Sequence, residues 1–357
     1  MNKERIVNHP GVYIKDAIEE LGLSQSEFAS RTGLSIKNVS TIINGESGIT
    51  FDVALKLAAF FDNEVQGWIN LQTQYDYYKN KEKFESELQE EWKIICSINK
   101  DFLLKTCNIS IDKSDKEKTI TEARRCFGVA SLQVLTNVDM YAYCKTSVNK
   151  DIDSKTNILR NVWISIAEKQ ARSIECSSFD KNVIINNIPL LKTMTLKKPE
   201  VFEPELKSLL AKAGIKLVIL PYLPGSNISG VTKWISSESA TLVAINDCGK
   251  DADKIWFTLF HELGHAIQNR KRHITVSFFN NQIEDEYEIA ANRFAMDNLI
   301  NPNEYKDFVS KRHFDQLSIE TFARQQKVAE FIVIGRLQKD EHIPWSRFQN
   351  KKIKYTA

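Results

Sequence analysis

His261-Glu262-Leu263-Gly264-His265 reads His-Glu-x-x-His inside an apolar helical run, with Ile255-Trp256-Phe257-Thr258-Leu259-Phe260 before it and Ala266-Ile267 after it. Residues four apart on a helix stand one above the other on the same face. Two imidazoles so placed can grip one metal ion, and Glu262 beside them can handle the proton of a metal-bound water. Asp251 or Asp253 offers an N-cap to this helix, and Asn269-Arg270-Lys271-Arg272 ends it with polar and basic residues. Gly264 leaves room for close backbone approach.

A catalytic zinc takes three protein ligands and keeps one position for water. The stretch from Glu284 to Ala295 reads as a second helix, with Ile289, Phe294, Met296 and Leu299 expected in the core. It offers Glu288 as the third ligand, although Glu284 and Glu286 are also near. Asn292 lies one turn beyond Glu288, where its side-chain oxygen could accept a hydrogen bond from a liganding imidazole and set its tautomer. The expectation is a single Zn2+ per chain on His261, His265 and Glu288, with Glu262 as the catalytic base. His273, His313 and Arg336 are unranked candidates for stabilising the transition state.

Three short apolar runs precede the metal helix: Lys216 to Leu220, Gly230 to Ile235 and Thr241 to Ile245. They predict a three-stranded sheet whose edge could hold an extended peptide. The last fifty residues return to helix, with Ile319, Phe322, Ala323 and Val328 inside. They end in a basic tail of Arg347, Lys351, Lys352 and Lys354, read as solvated or as a contact to DNA or substrate.

The first eighty residues read as short helices. Val12 to Leu21 ends at Gly22, and Ser24-Gln25-Ser26-Glu27 is a capping box that opens a helix stopping at Gly33. Ser35 caps Ile36 to Ile43, and Thr50 caps Phe51 to Phe61. Two short helices around a Gly-containing turn, inside a small bundle, describe a helix-turn-helix unit. Phe28, Ala29, Leu34, Val39 and Ile42 would pack inside. Ile36, Lys37, Asn38 and Thr41 would face the DNA major groove, with Gln25 and Ser35 near phosphates. Residues 1–75 carry six basic side chains (Lys3, Arg5, Lys15, Arg31, Lys37, Lys56) against nine acidic ones. Phosphate contact needs a basic face, which a homodimer could concentrate around Arg31 and Lys37.

His9-Pro10-Gly11, Gly22-Leu23-Ser24-Gln25, Gly48-Ile49-Thr50 and Trp68-Ile69-Asn70-Leu71-Gln72 resemble the helix-turn-helix of HigA-type antitoxins in the XRE repressor class. Phe257 to His265, with Ala291-Asn292-Arg293-Phe294-Ala295, resembles the ImmA/IrrE family of metallopeptidases. The resemblances cover roughly residues 8–78 and 205–303, and together they imply a repressor-like protein carrying its own peptidase domain. One departure is visible: family members often carry an acidic residue two positions before the Asn, and Ala290 stands there.

The chain has 357 residues, enough for two or three domains. With 48 Lys and Arg against 46 Asp and Glu, its net charge of +2 provides no global field that selects nucleic acid or an acidic membrane. No run approaches the roughly 20 apolar residues of a membrane span, and no apolar signal core follows Met1. A cytoplasmic protein with no membrane partner is expected. The six cysteines form no Cys-x-x-Cys pair and read as reduced, mostly buried thiols. Cys248, between a strand and the metal helix, could reach the metal as an inhibitory thiol or simply be a loop or core thiol.

The expected fold is α+β and mostly α. A helix-turn-helix domain spans 1–78 and a helical linking or sensing region spans 79–200. A peptidase-like domain spans 201–357. In the middle region Phe84, Leu88, Trp92 and Ile95 form an apolar stripe on a long helix. The functional expectation is a regulator that binds operator DNA and cleaves a specific regulatory protein partner by zinc-dependent endopeptidase chemistry. The alternative is a non-catalytic antitoxin that represses its own operon and sequesters a cognate toxin, with zinc serving structure.

Overall fold

Side-chain caps set most of the helix boundaries of the N-terminal unit. In the computed structural model, which describes residues 7–137, 140–141, 153–247, 251–268, 274–278 and 286–355, helix α1 spans Pro10–Glu20. It starts two residues before the expected Val12 because His9 Nδ1 accepts the Gly11 N–H and Pro10 occupies the first turn. Helix α2, Gln25–Thr32, opens with the reciprocal Ser24–Glu27 capping box and ends at left-handed Gly33. Helix α3, Ile36–Ile43, is capped by Ser35, and α4, Phe51–Phe61, by Thr50. Their inward faces meet in a core of Ile14, Ile18, Phe28, Ala29, Val39, Ile42, Val53 and Leu57, joined by Trp68 from the helix that follows. Leu34 packs against it half-buried. A Cβ on Gly11 would lie 1.9 Å from the Ile42 carbonyl oxygen, so the start of α1 rests on the end of α3 only because residue 11 is glycine.

By internal contact the chain divides into Met1–Gln89 and Glu90–Ala357, a boundary that falls within α5, Val65–Ser97. Phe84 of the expected stripe is exposed, Leu88 and Trp92 are half-buried, and Ile95 is buried. The stripe is therefore covered only towards the end of the helix.

The second unit continues with α6 (Lys100–Cys107), α7 (Lys116–Phe127), α8 (Ser154–Ala171), α9 (Lys181–Met194) and α10 (Pro199–Lys212). Strands β1 (Ile215–Leu220), β2 (Ile228–Ile235) and β3 (Ala240–Asn246) follow, then α11 (Ala252–Gln268), β4 (Ile274–Phe278) and α12 (Glu286–Leu299). Three more helices close the unit: α13 (Pro302–Ser310), α14 (Gln316–Gln326) and α15 (Glu330–Lys339). Among the described residues the sheet has four strands, not the expected three, in the order β1-β3-β2-β4. β1 runs parallel to β3, and β2 runs antiparallel to both β3 and β4. The fourth strand, Ile-Thr-Val-Ser-Phe, is only five residues long, too short for a period to stand out.

The strands are buried almost throughout, as expected of a sheet covered on both faces. Helices α8 and α10 lie on β1, while α11 packs on β2 and β3 and against α12 and α15. The core holds Trp256, Leu259, Phe260 and Leu263 of α11 with Leu217, Val243, Phe331 and Leu337. Ile319, Phe322, Ala323 and Val328 are buried there as expected.

Three further expectations need correction. The basic tail is not solvated as a whole. Ile353 O accepts the Ala252 N–H at 2.9 Å, Lys352 pairs with Asp253, Lys351 pairs with Glu320 and Glu330, and Tyr355 is buried beside Trp256 and Phe202. The cysteines are not all reduced: Cys107 and Cys126 form a disulfide between α6 and α7. Ile289 is exposed, because α12 turns Glu288, Ala291, Ala295 and Leu299 inward instead. No helix among the described residues is long and apolar enough to cross a membrane.

Candidate metal centre and DNA-facing helix

Helix α11 is held by its apolar residues, and that packing carries its polar ones out of water. His261 is 6% exposed, His265 4% and Glu262 0%. Asp251 precedes the helix and its carbonyl accepts the Ile255 N–H, so it takes the N-cap position. Asp253 is instead half-buried, paired with Lys352 and close against the backbone of Gly335. Gly264 brings α12 close: a Cβ there would lie 3.0 Å from the Ala291 Cα. That approach sets Glu288, 5% exposed, opposite the two histidines.

The three side chains converge. His261 Nε2 and His265 Nε2 are 3.0 Å apart, Glu288 Oε1 is 3.2 Å from His265 Nε2, and Glu288 Oε2 is 3.4 Å from His261 Nε2. Bonds of about 2.0–2.1 Å to a tetrahedral ion place its ligands about 3.3 Å apart, so the donor set fits a metal ion. His261, His265 and Glu288 form a group able to hold one among the described residues. Without a metal, burial works to raise the Glu288 carboxyl, but hydrogen bonds from His261 and His265 hold it at about 2. Burial works against a charged His265, but its hydrogen bond to Glu288 and the nearby Glu262 carboxylate raise it above its ordinary value.

Asn292 Oδ1 lies 2.9 Å from His261 Nδ1. An imidazole that donates its Nδ1 proton to that oxygen keeps the Nε2 lone pair for a ligand. Asn292→Ala is therefore expected to weaken metal affinity about 10- to 100-fold without unfolding the protein. Competition with a chromophoric chelator measures this, and an unchanged affinity would remove Asn292 from the site.

Glu262 is positioned by residues that the sequence did not single out. Thr232 Oγ1 donates to Glu262 Oε2 at 2.6 Å. A Cβ on Gly230 would lie 2.4 Å from Glu262 Oε1. Residues two apart on a strand share a face, so β2 presents both to the same carboxylate. A register shift between β2 and β4 at Ile228–Gly230 adjoins this point. Glu262 Oε1 is buried without a hydrogen-bond partner among the described residues. Glycine inside a strand does signal close approach, but nothing local tells that the neighbour is a residue some thirty positions away.

Arg336 is engaged by Asp340 and the Tyr305 ring, and His313 is exposed between α13 and α14. Cys248, His273, Glu284 and the expected helix end at 269–272 lie outside the described residues.

In the N-terminal unit Ile36 is 56% exposed, and Lys37, Gln25 and Ser35 are exposed as well. Lys37 has no ion-pair partner among the described residues. Ser35 Oγ accepts the Asn38 N–H at 3.1 Å, and Asn38 is half-buried. Thr41 is also half-buried, donating to Asn38 O at 3.0 Å and accepting from Ser47 Oγ at 2.9 Å. The Thr41 side chain is thus more constrained than that of exposed Lys37.

Residues 14–68 match the helix-turn-helix family, and residues 210–338 match the IrrE N-terminal-like domain. The chain is similar to Virulence-associated protein A' of Dichelobacter nodosus, 33% identical over 26% of this chain and 83% of that protein. It is also similar to Antitoxin HigA-1 of Vibrio cholerae, 31% identical over 20% of this chain and 66% of that protein. The first curated relatives are spanned over 64% and 83% of their own length. Among solved structures, an addiction module antidote protein of a HigA family from Coxiella burnetii is 32% identical, covering 23% of this chain and 95% of that one with a TM-score of 0.22.

Proposed function

We propose that this chain, which belongs to the HigA-like helix-turn-helix family by its N-terminal domain and carries an IrrE N-terminal-like domain, is a cytoplasmic DNA-binding regulator with a zinc-dependent endopeptidase directed at a specific regulatory protein. One observation carries the catalytic half of the reading. Glu262 is fully buried beside the His261, His265 and Glu288 cluster, with one carboxylate oxygen tied to Thr232 and the other without a hydrogen-bond partner among the described residues. A site that only stabilises the fold needs no such carboxylate.

Zinc on this donor set would supply Lewis-acid polarisation of a peptide carbonyl and acidify water. The rest falls to the chain's own residues. Thr232 fixes Glu262 Oε2, which leaves Oε1 to take the proton of the attacking water. Glu262 then returns that proton to the leaving amine. Asn292 keeps His261 in the liganding tautomer. Strand β4 pairs only with β2 among the described residues, so its other edge is where an extended peptide would add.

The second reading, a non-catalytic antitoxin that represses its own operon and sequesters a toxin, is favoured by the relatives. The likeness to Antitoxin HigA-1 covers only a fifth of this chain. Incubating the zinc-loaded full chain with the proteins encoded beside its gene separates the two. Discrete cleavage fragments in mass spectra are expected. Tight binding of a toxin-like neighbour with no cut would support the second reading instead.

DNA binding has its own test. Affinity for the chain's own promoter, with the protein bound as a dimer on inverted half-sites, is expected to need residues 1–75 and to fall steeply with salt. It should drop roughly tenfold on Lys37→Ala. Full affinity in the truncated protein would contradict the assignment.

A further inference from the structure

Far along the chain from the metal cluster, a cavity of about 520 Å³ opens where α6, α7 and α8 meet. Both half-cystines, Cys107 and Cys126, are in its wall, and both are half-buried rather than sealed in the core. The same wall carries two exposed cations, Arg125 and Lys169, neither ion-paired among the described residues, and the carboxylate of Glu122. Lys169 Nζ donates to the Arg125 carbonyl, which keeps its ammonium beside the end of α7. The Thr106 hydroxyl, also in the wall, is buried without a hydrogen-bond partner among the described residues.

We propose that this cavity is a thiol-exchange site, in which an anionic low-molecular-weight thiol binds against Arg125 and Lys169 and reduces the Cys107–Cys126 disulfide. Several features point the same way. The volume suits a small peptide-sized molecule. Two cations and one carboxylate match a ligand with two carboxylates and one ammonium. Cations beside a disulfide stabilise the departing thiolate, which speeds exchange. For its compartment the inference rests on the DNA-binding reading, because a disulfide where DNA is regulated meets millimolar thiols and is commonly redox-sensing.

The exchange balances in two steps. A thiolate attacks one cystine sulfur, forming a mixed disulfide while the Cys107–Cys126 bond breaks and the released cysteine takes a proton from water. A second thiolate attacks the ligand sulfur of the mixed disulfide, giving the small-molecule disulfide and a second protein thiol. Two electrons pass from two ligand thiols to the cystine, and α6 is no longer stapled to α7.

The test uses the folded full chain, with glutathione as the anionic probe and 2-mercaptoethanol as the neutral one, and counts alkylated Cys107 and Cys126 by peptide mass. Both residues should be unreactive before reduction and should become reactive in native buffer with glutathione. In Arg125→Glu/Lys169→Glu, reduction by glutathione should slow roughly tenfold more than reduction by 2-mercaptoethanol, since the attacking glutathione thiolate carries one more net negative charge and is repelled more strongly. Arg125→Ala/Lys169→Ala should show the same order with a smaller ratio. In Cys126→Ser, oxidised glutathione should leave a mixed disulfide on Cys107. An unchanged ratio between the two thiols overturns the proposal. So does free alkylation of both cysteines without reductant, or reduction only after denaturant. None of these readouts involves DNA or a peptide substrate, so their failure leaves the functional reading standing.

Discussion

Zinc content is expected to fall from about one ion per chain to near none when His261 or His265 is replaced by Ala, and cleavage of any substrate should vanish with it. Each imidazole contributes one of the three convergent protein donors among the described residues, and the two nitrogens stand 3.0 Å apart with Glu288 within 3.4 Å of both. Removing one leaves two donors, too few to hold the ion against dialysis. Glu288→Ala should weaken binding in the same direction. Loss of binding in these variants must be separated from loss of fold, since the cluster is buried in the core of α11 and α12. Far-ultraviolet circular dichroism and thermal unfolding serve as the fold controls, and elemental analysis of dialysed protein gives the metal. If the double histidine variant retains zinc at the level of the parent chain, the site assigned here is wrong.

Glu262→Gln has the opposite signature. The amide is nearly isosteric and still reaches Thr232, so fold and zinc content should be preserved. Hydrolysis should fall by about 10²–10⁴-fold, because an amide cannot accept the proton of the attacking water. The effect should be on kcat far more than on KM, since Glu262 acts on a proton in flight and not on substrate binding. Steady-state rates at matched zinc occupancy measure this. Cleavage at parental rate would show that another group is the base, and the non-catalytic reading would gain if neither protein cut anything.

Much of this protein was legible in the chain itself. Ser24, Glu27, Ser35 and Thr50 placed the N-terminal helices because capping is local: each side chain bonds a backbone N–H three residues away. The spacing of His261 and His265 put both on one helix face by the same locality. Glu288 and Asn292 came within reach of inference because they share a turn of a second helix, although nothing local determined which histidine Asn292 would meet. Tertiary structure decided the rest. The fourth strand exists because β2 offers it an edge, not because its five residues announce a period. Ile289 lost its inward place to Glu288, because the polar cluster and not the apolar count sets the rotation of α12. The basic tail folded back because Ile353 completes a hydrogen bond for Ala252 and Tyr355 packs beside Trp256 and Phe202. Thr232 against Glu262 and Cys107 against Cys126 are likewise pairings between segments distant in sequence. Sequence periodicity reports which face of an element is apolar, but which elements meet, and therefore which polar atoms are paired, is set only when the whole core has packed.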